Sequence, residues 1–200
     1  TNSFTHSTAL TAGTWYFRIK ASDVASNESS YSSNGTVVVN TSAPTGSITI
    51  NFGDTYTTAS SATLTLSATD DVDSASSLTM KFSEVSDLSD VSYEAFSTSK
   101  TWTFSSLVDG IKTLYARFKD AVGNESSIYS DTITLDKTAP NSFDLDSPGD
   151  NSYSNSDRPT FRWKTATTGD ATSGLSKYKL VVDNGETGDF TIDDVPVSRT

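Results

Sequence analysis

Alternation of apolar and polar residues runs through this chain from end to end. Over residues 14–21, Trp15, Phe17, Ile19 and Ala21 fall on one face and Tyr16, Arg18 and Lys20 on the other. Period two over eight residues predicts a half-buried strand. Residues 62–68 repeat the pattern with Ala62, Leu64, Leu66 and Ala68 inward, and residues 78–82 do so with Leu78, Met80 and Phe82. Further strands are expected at 36–39, 47–50, 101–104, 112–119 and 131–135, with an edge strand around 93–96 and a turn at 51–54. Beyond residue 140 the pattern predicts strands at 143–145, 159–164, 177–183 and 189–192. The last two join through Asn184-Gly185, a pair suited to the positive φ angles of a tight hairpin turn. No segment carries a helical period.

The pattern is also duplicated. Asp23-Val-Ala-Ser-Asn-Glu-Ser29 returns 97 positions later as Asp120-Ala-Val-Gly-Asn-Glu-Ser126. Leu10 aligns with Leu107 and Gly13 with Gly110. After a one-residue deletion, residues 37–44 align with 133–140, and both copies end in Thr-x-Ala-Pro or Lys-Thr-Ala-Pro linkers. Proline removes a backbone donor and biases its predecessor towards extended geometry, so each sheet is expected to stop there. A period near 96 is one domain's length, too long for a solenoid. Seven short strands in about 95 residues predict an immunoglobulin-like β-sandwich. The expected organisation is all-β: the C-terminal part of one such domain over 1–43, a complete sandwich over 44–139, and the N-terminal part of a third over 140–200. The two partial domains are expected to expose apolar strand faces and open edges.

Composition narrows the classes of function. Ser and Thr make up about a third of the 200 residues and charged residues 20%, as suits many short strands with polar outer faces. The net charge of −11 argues against binding a nucleic-acid backbone and suits divalent cations. Cysteine is absent; in a β protein of this size that points to bacterial secretion or the cytosol. No apolar run is long enough to span a membrane as a helix. Thr1 begins in mid-pattern without a basic leader, so the chain reads as part of something longer.

On Val108-Asp-Gly110, Leu114-Tyr-Ala-Arg-Phe-Lys-Asp120, Gly123-Asn-Glu125 and Thr132-Ile-Thr-Leu-Asp-Lys-Thr-Ala-Pro140, the chain resembles the tandem bacterial immunoglobulin-like and fibronectin type III-like repeats of surface and secreted proteins. Residues 158–163 and 174–183 carry the same likeness further along. The family's tyrosine-corner spacing holds in the first copy, where Tyr16 lies six after Leu10, and fails in the second, where position 113 is Thr. The resemblance implies a fold, and with it a stalk, spacer or adhesive array.

Candidate chemistry is sparse. His6 is the single histidine and has no motif partner, so a Ser-His-Asp arrangement has nothing to rest on. The adjacent carboxylates Asp70/Asp71 and Asp193/Asp194 point apart on strands or loops, and no phosphate loop or nucleophile elbow is present. No catalytic role is expected. Calcium is the sharper expectation: it takes six to eight oxygens, readily supplied by loops. In a sandwich the loop carrying Asp70, Asp71 and Asp73 shares an end with the loop carrying Asp120, Asn124 and Glu125, near the Asn40 linker. By the same logic Asp109, Asp136 and the Asp170 loop would meet at the next linker. The alternative is that Asp120 and Asn124 serve only their own turn, with the acids solvated. Trp15, Trp102 and Trp163 each share a face with a Phe two residues away, which predicts core packing over a sugar-stacking platform. Asn27, Asn34, Asn40 and Asn124 open N-glycosylation patterns, which a bacterial origin would leave unmodified.

These readings converge on a non-catalytic, extracellular or surface-attached repeat segment, stiffened by calcium, that needs no other cofactor. Its partners would be neighbouring repeats and a host or cell-surface protein or glycan, not nucleic acid, with no direct membrane insertion. The competing reading is a carbohydrate- or protein-binding accessory module of a secreted polysaccharide-degrading enzyme.

Overall fold

The computed structural model describes residues 2–163, 171–182 and 190–196. The protein is all-β with almost no helix: fourteen strands among the described residues and two single-turn 3-10 segments. In chain order the strands are β1 (Gly13–Phe17), β2 (Gly35–Val39), β3 (Thr45–Ile50), β4 (Tyr56–Thr57), β5 (Ser61–Thr69), β6 (Thr79–Ser83), β7 (Glu94–Ala95), β8 (Ser99–Thr103), β9 (Gly110–Lys119), β10 (Tyr129–Leu135), β11 (Leu145–Ser147), β12 (Arg162–Trp163), β13 (Lys177–Val182) and β14 (Phe190–Pro196). They form a three-stranded sheet of order β3-β5-β8, a five-stranded sheet of order β4-β10-β9-β6-β7, and three two-stranded sheets, β1-β2, β11-β12 and β13-β14.

Contacts divide the chain into two compact units: residues up to 54 with 61–105 and 113–132, and residues 55–60 and 106–112 with the described residues from 133 on. In the first unit the inward alternation of β5 buries Ala62, Leu64, Leu66 and Ala68, that of β6 buries Met80 and Phe82, and that of β9 buries Leu114, Ala116 and Phe118. Phe82 meets Trp102 edge-on with ring centroids 5.6 Å apart, and Phe118 meets Phe96 likewise at 5.9 Å. Gly46 lets β3 approach this layer. A Cβ there would stand 2.3 Å from the Ser67 carbonyl and 2.4 Å from the Phe118 ring, closer than packed atoms tolerate.

The turn at 51–53 carries positive φ at Asn51, Phe52 and Gly53 (44°, 57° and 93°). Left-handed backbone costs a non-glycine residue about 1–2 kcal/mol. The turn is held by Asn51 Oδ1, which accepts from the Thr63 amide at 2.8 Å, while the Ile50 amide donates to Asp131 Oδ2 at 2.7 Å.

β1 and β2 pair in register from Gly13↔Val39 to Phe17↔Gly35. Their apolar side chains are open to solvent, with Tyr16 71%, Phe17 57% and Val38 51% exposed. This corrects the core placement expected of Trp15, which is 39% exposed and spends its indole N–H on the Thr11 carbonyl. Among the described residues this sheet has no second layer to close over it. Tyr16 is exposed as well, not buried as a tyrosine corner would be.

In the second unit β4 runs parallel to the end of β10, pairing Tyr56 with Thr134 and Thr57 with Leu135. Two residues have no period, so β4 left no trace in the pattern. β11 pairs β12, β13 pairs β14, and Phe143 and Trp163 both meet the Tyr178 ring edge-on at 5.2 and 5.4 Å. The Asn184-Gly185 turn lies outside the described residues. Leu88, between β6 and β7 in a stretch without regular alternation, is fully buried with φ 56°.

Candidate functional site

The two copies of the duplicated loop fold alike. In the first, Asp23 Oδ1 accepts from the amides of Ala25 and Asn27 at 2.9 and 2.8 Å, and Oδ2 accepts from Asn27 Nδ2 at 2.9 Å. In the second, Asp120 Oδ1 accepts from the amides of Val122, Gly123 and Asn124, and Oδ2 from Asn124 Nδ2, at 2.7–3.1 Å. Both loops close through a backbone bond, Asp23 N–H to Asn27 O at 2.9 Å and Asp120 N–H to Asn124 O at 3.1 Å. Flanking serines repeat too: the Ala21 amide donates to Ser29 Oγ and the Phe118 amide to Ser126 Oγ. The ion pair Lys20–Glu28 returns as Arg117–Glu125. An aspartate whose side chain caps its own turn is a complete structural motif without any ligand.

What distinguishes the second copy is its surroundings. Asp120 is only 3% exposed. Carboxylate oxygens of Asp70, Asp73 and Asp120 all lie within 4.8 Å of one another. The Asp70 loop is shaped for this: Asp70 Oδ1 accepts from the amides of Val72 and Asp73 at 3.0 and 2.9 Å, which turns the Asp73 side chain back towards Asp120. Into the gap reaches Asn40. Its Nδ2 lies 3.2 Å from Asp70 Oδ1, 3.0 Å from Asp73 Oδ2 and 3.0 Å from Asp120 Oδ2. An amide has two hydrogens for these three acceptors. Among the described residues, Asp70 Oδ2 is buried with no hydrogen-bond partner.

The linker is fastened at two further points. Ser42 Oγ donates to Asp71 Oδ2 at 3.0 Å, and Asn124 Nδ2 donates to the Asn40 carbonyl at 3.2 Å. Of the six residues expected at the site, Asp70, Asp73, Asp120 and Asn124 therefore gather at one point. Asp71 faces the linker hydroxyl instead. Glu125 turns to Arg117, with Nη1 to Oε2 at 2.8 Å. The neighbouring Tyr93 hydroxyl, foremost, and then the Arg117 charge hold Glu125 below the usual carboxylate range, although that hydroxyl makes no hydrogen bond of ordinary geometry. Burial first, and the Glu125 carboxylate second, push the Tyr93 phenol upwards. Asn40 read as linker and not as a site residue. The signal that marks it is its alignment with Asp136, an oxygen-bearing side chain at the same place in the repeat.

At that second linker, Asp109 Oδ1 accepts from the Lys137 amide at 2.8 Å and Oδ2 accepts from Thr138 Oγ1. Asp136 is buried and accepts from the Thr138 amide at 3.1 Å. Asp170, expected to join them, lies outside the described residues. His6 is exposed, with its ring Nδ1 against the Thr8 carbonyl at 2.6 Å. Trp102 is half-buried and donates to Glu84 Oε1 at 3.0 Å. Trp163 is half-buried against Tyr178. No helix among the described residues is long and apolar enough to cross a membrane.

No protein-family model matches the chain, and no curated protein matches it. Among solved structures it is similar to the fibronectin(III)-like modules of Clostridium thermocellum CbhA, with 16% identity and a TM-score of 0.37. The match covers 63% of this chain and 64% of that one.

Proposed function

We propose that the chain is a non-catalytic segment of an extracellular array of immunoglobulin-like β-sandwiches, serving as stalk or adhesive of a bacterial surface protein. In this reading residues 44–139 are one complete sandwich, and calcium locks its entry linker. The observation that carries the calcium reading is the Asn40 amide set among three carboxylates from two loops. Two oxygens bound to one calcium ion at 2.3–2.6 Å lie at most about 5.2 Å apart, and the oxygens of Asp70, Asp73 and Asp120 lie within 4.8 Å of one another. Three carboxylates converging with one amide hydrogen donor too few repel one another, and a divalent cation offsets that repulsion. Turning the Asn40 amide over would offer Oδ1 as a fourth ligand. The free Asp70 Oδ2 is a fifth candidate.

The mechanism is mechanical. Asn40 and Ser42 belong to the linker, while Asp70, Asp71 and Asp120 belong to the loops that linker enters. An ion held by both removes bending freedom at the linker and adds its binding free energy to the folded state. The acidic surface keeps neighbouring arrays apart. Calorimetry of the intact chain with CaCl2 should show saturable heat with one ion per site, and chelator should lower the melting temperature. Absence of heat together with an unchanged melting temperature would sink the calcium reading.

A further inference from the structure

A cleft of about 590 Å³ lies in the second unit beside β11 and β12, lined by Asp146, Tyr153, Ser154, Arg158 and Arg162 with the prolines 148 and 159 at its margins. It is an open surface groove, with all of its lining residues except Ser147 and Pro148 exposed. Arg158 and Arg162 are both exposed and enter no ion pair among the described residues, in a chain where acidic residues outnumber basic ones 25 to 14. Tyr153 is fully exposed at the same cleft. Serine and threonine side chains at 147, 152, 154, 156 and 160 supply most of the remaining lining.

We infer that this cleft binds an acidic saccharide. A guanidinium presents parallel N–H groups that match a carboxylate in a planar, two-point contact. An exposed tyrosine ring offers its apolar face to the C–H side of a sugar while its hydroxyl stays wet. The Asp146 carboxylate and the hydroxyl groups suit the donors and acceptors of a pyranose ring. Asp146 also makes the site selective: it repels a ligand charged on every side, whereas a sugar ring with its single carboxylate on one edge can place that edge on the arginines and its hydroxyls on Asp146. An acidic peptide fits less well. The lining lacks the apolar side-chain pockets by which extended peptides are read.

The site is independent of the calcium reading, so it is tested in EDTA. The intact chain is titrated by calorimetry with tetragalacturonate, a glucuronate-containing tetrasaccharide and a sialylated trisaccharide. Controls are methyl-esterified tetragalacturonate and tetraglutamate. At least one acidic saccharide should bind saturably, its neutral ester at least tenfold more weakly. Arg158→Gln and Arg162→Gln should each weaken binding about tenfold, and Tyr153→Ala several-fold, with melting temperature unchanged. Failure of all three saccharides, equal binding of the ester or of tetraglutamate, or full affinity in both arginine variants would overturn the assignment.

Discussion

Residues 23–29 and 120–126 are nearly the same sequence folded into the same loop in two settings. The first has an exposed aspartate; its amide donors and its backbone closure are all internal. The second keeps every one of those bonds, buries its aspartate to 3% exposure and adds Asn40 and the Asp70 loop. The difference separates what the motif does everywhere from what it does once. Capping the turn is intrinsic to Asp-x-x-x-Asn. Bringing further carboxylate oxygens to the loop depends on neighbours, Asn40 and the Asp70 loop, that among the described residues only the second copy has. One residue within the loop differs in the same sense: Ser26 stands at φ 69° where the second copy has Gly123 at 107°, so the first copy tolerates strain that the second avoids.

The largest expected asymmetry follows from removing the aspartates. Asp120→Ala removes a buried acceptor from the loop amides of Val122, Gly123 and Asn124 and should destabilise the chain by about 3 kcal/mol. Asp23→Ala should leave the main urea midpoint unmoved. Equal effects on urea unfolding would mean that burial of the second copy contributes nothing.

A smaller effect should come from the linker. Asn40→Asp puts a fourth carboxylate among three and should cost about 2 kcal/mol in chelator, with most of that recovered in CaCl2. Melting curves that show the same loss with and without calcium would count against a cation at this point. Ser26→Gly should relieve the left-handed strain of the first loop by up to about 1 kcal/mol, read as slower hydrogen exchange at the Asn27 amide.

The smallest expected change is in a titration. Asn27, through its side chain first and its backbone amide next, holds the Asp23 carboxyl below its ordinary value. A carboxylate lowered in the fold stabilises the loop above its unfolded pKa, and that contribution disappears as pH falls through the folded value. Asn27→Ala should therefore move the Asp23 titration upwards in a carbon-detected NMR pH series. A titration that stays put would mean that the internal bonds do not define this copy.

Strand positions were legible because alternation is a local property: Leu64, Leu66, Met80, Phe82 and Phe118 each show their buried side within a few residues. β4 was not legible, since two residues have no period and its parallel partner lies far along the chain. Leu88 was hidden because its backbone is left-handed within an irregular stretch. Trp15 misled because alternation predicts a face and not whether anything covers it. At the candidate site, the acids were legible from loop order alone, whereas which of them converge was not. Asp71 and Glu125 are drawn off by Ser42 and Arg117, contacts 29 and 8 residues distant in sequence, and Asn40 enters from a linker 80 residues before Asp120.

The most direct test of the account is a calcium titration of the intact chain followed by backbone amide NMR, with both loops observed in one sample. Saturable shifts are expected at residues 40–42, 70–73 and 120–124, and none beyond the general salt response at 23–27. Equal shifts at both loops, or none at either, would contradict it.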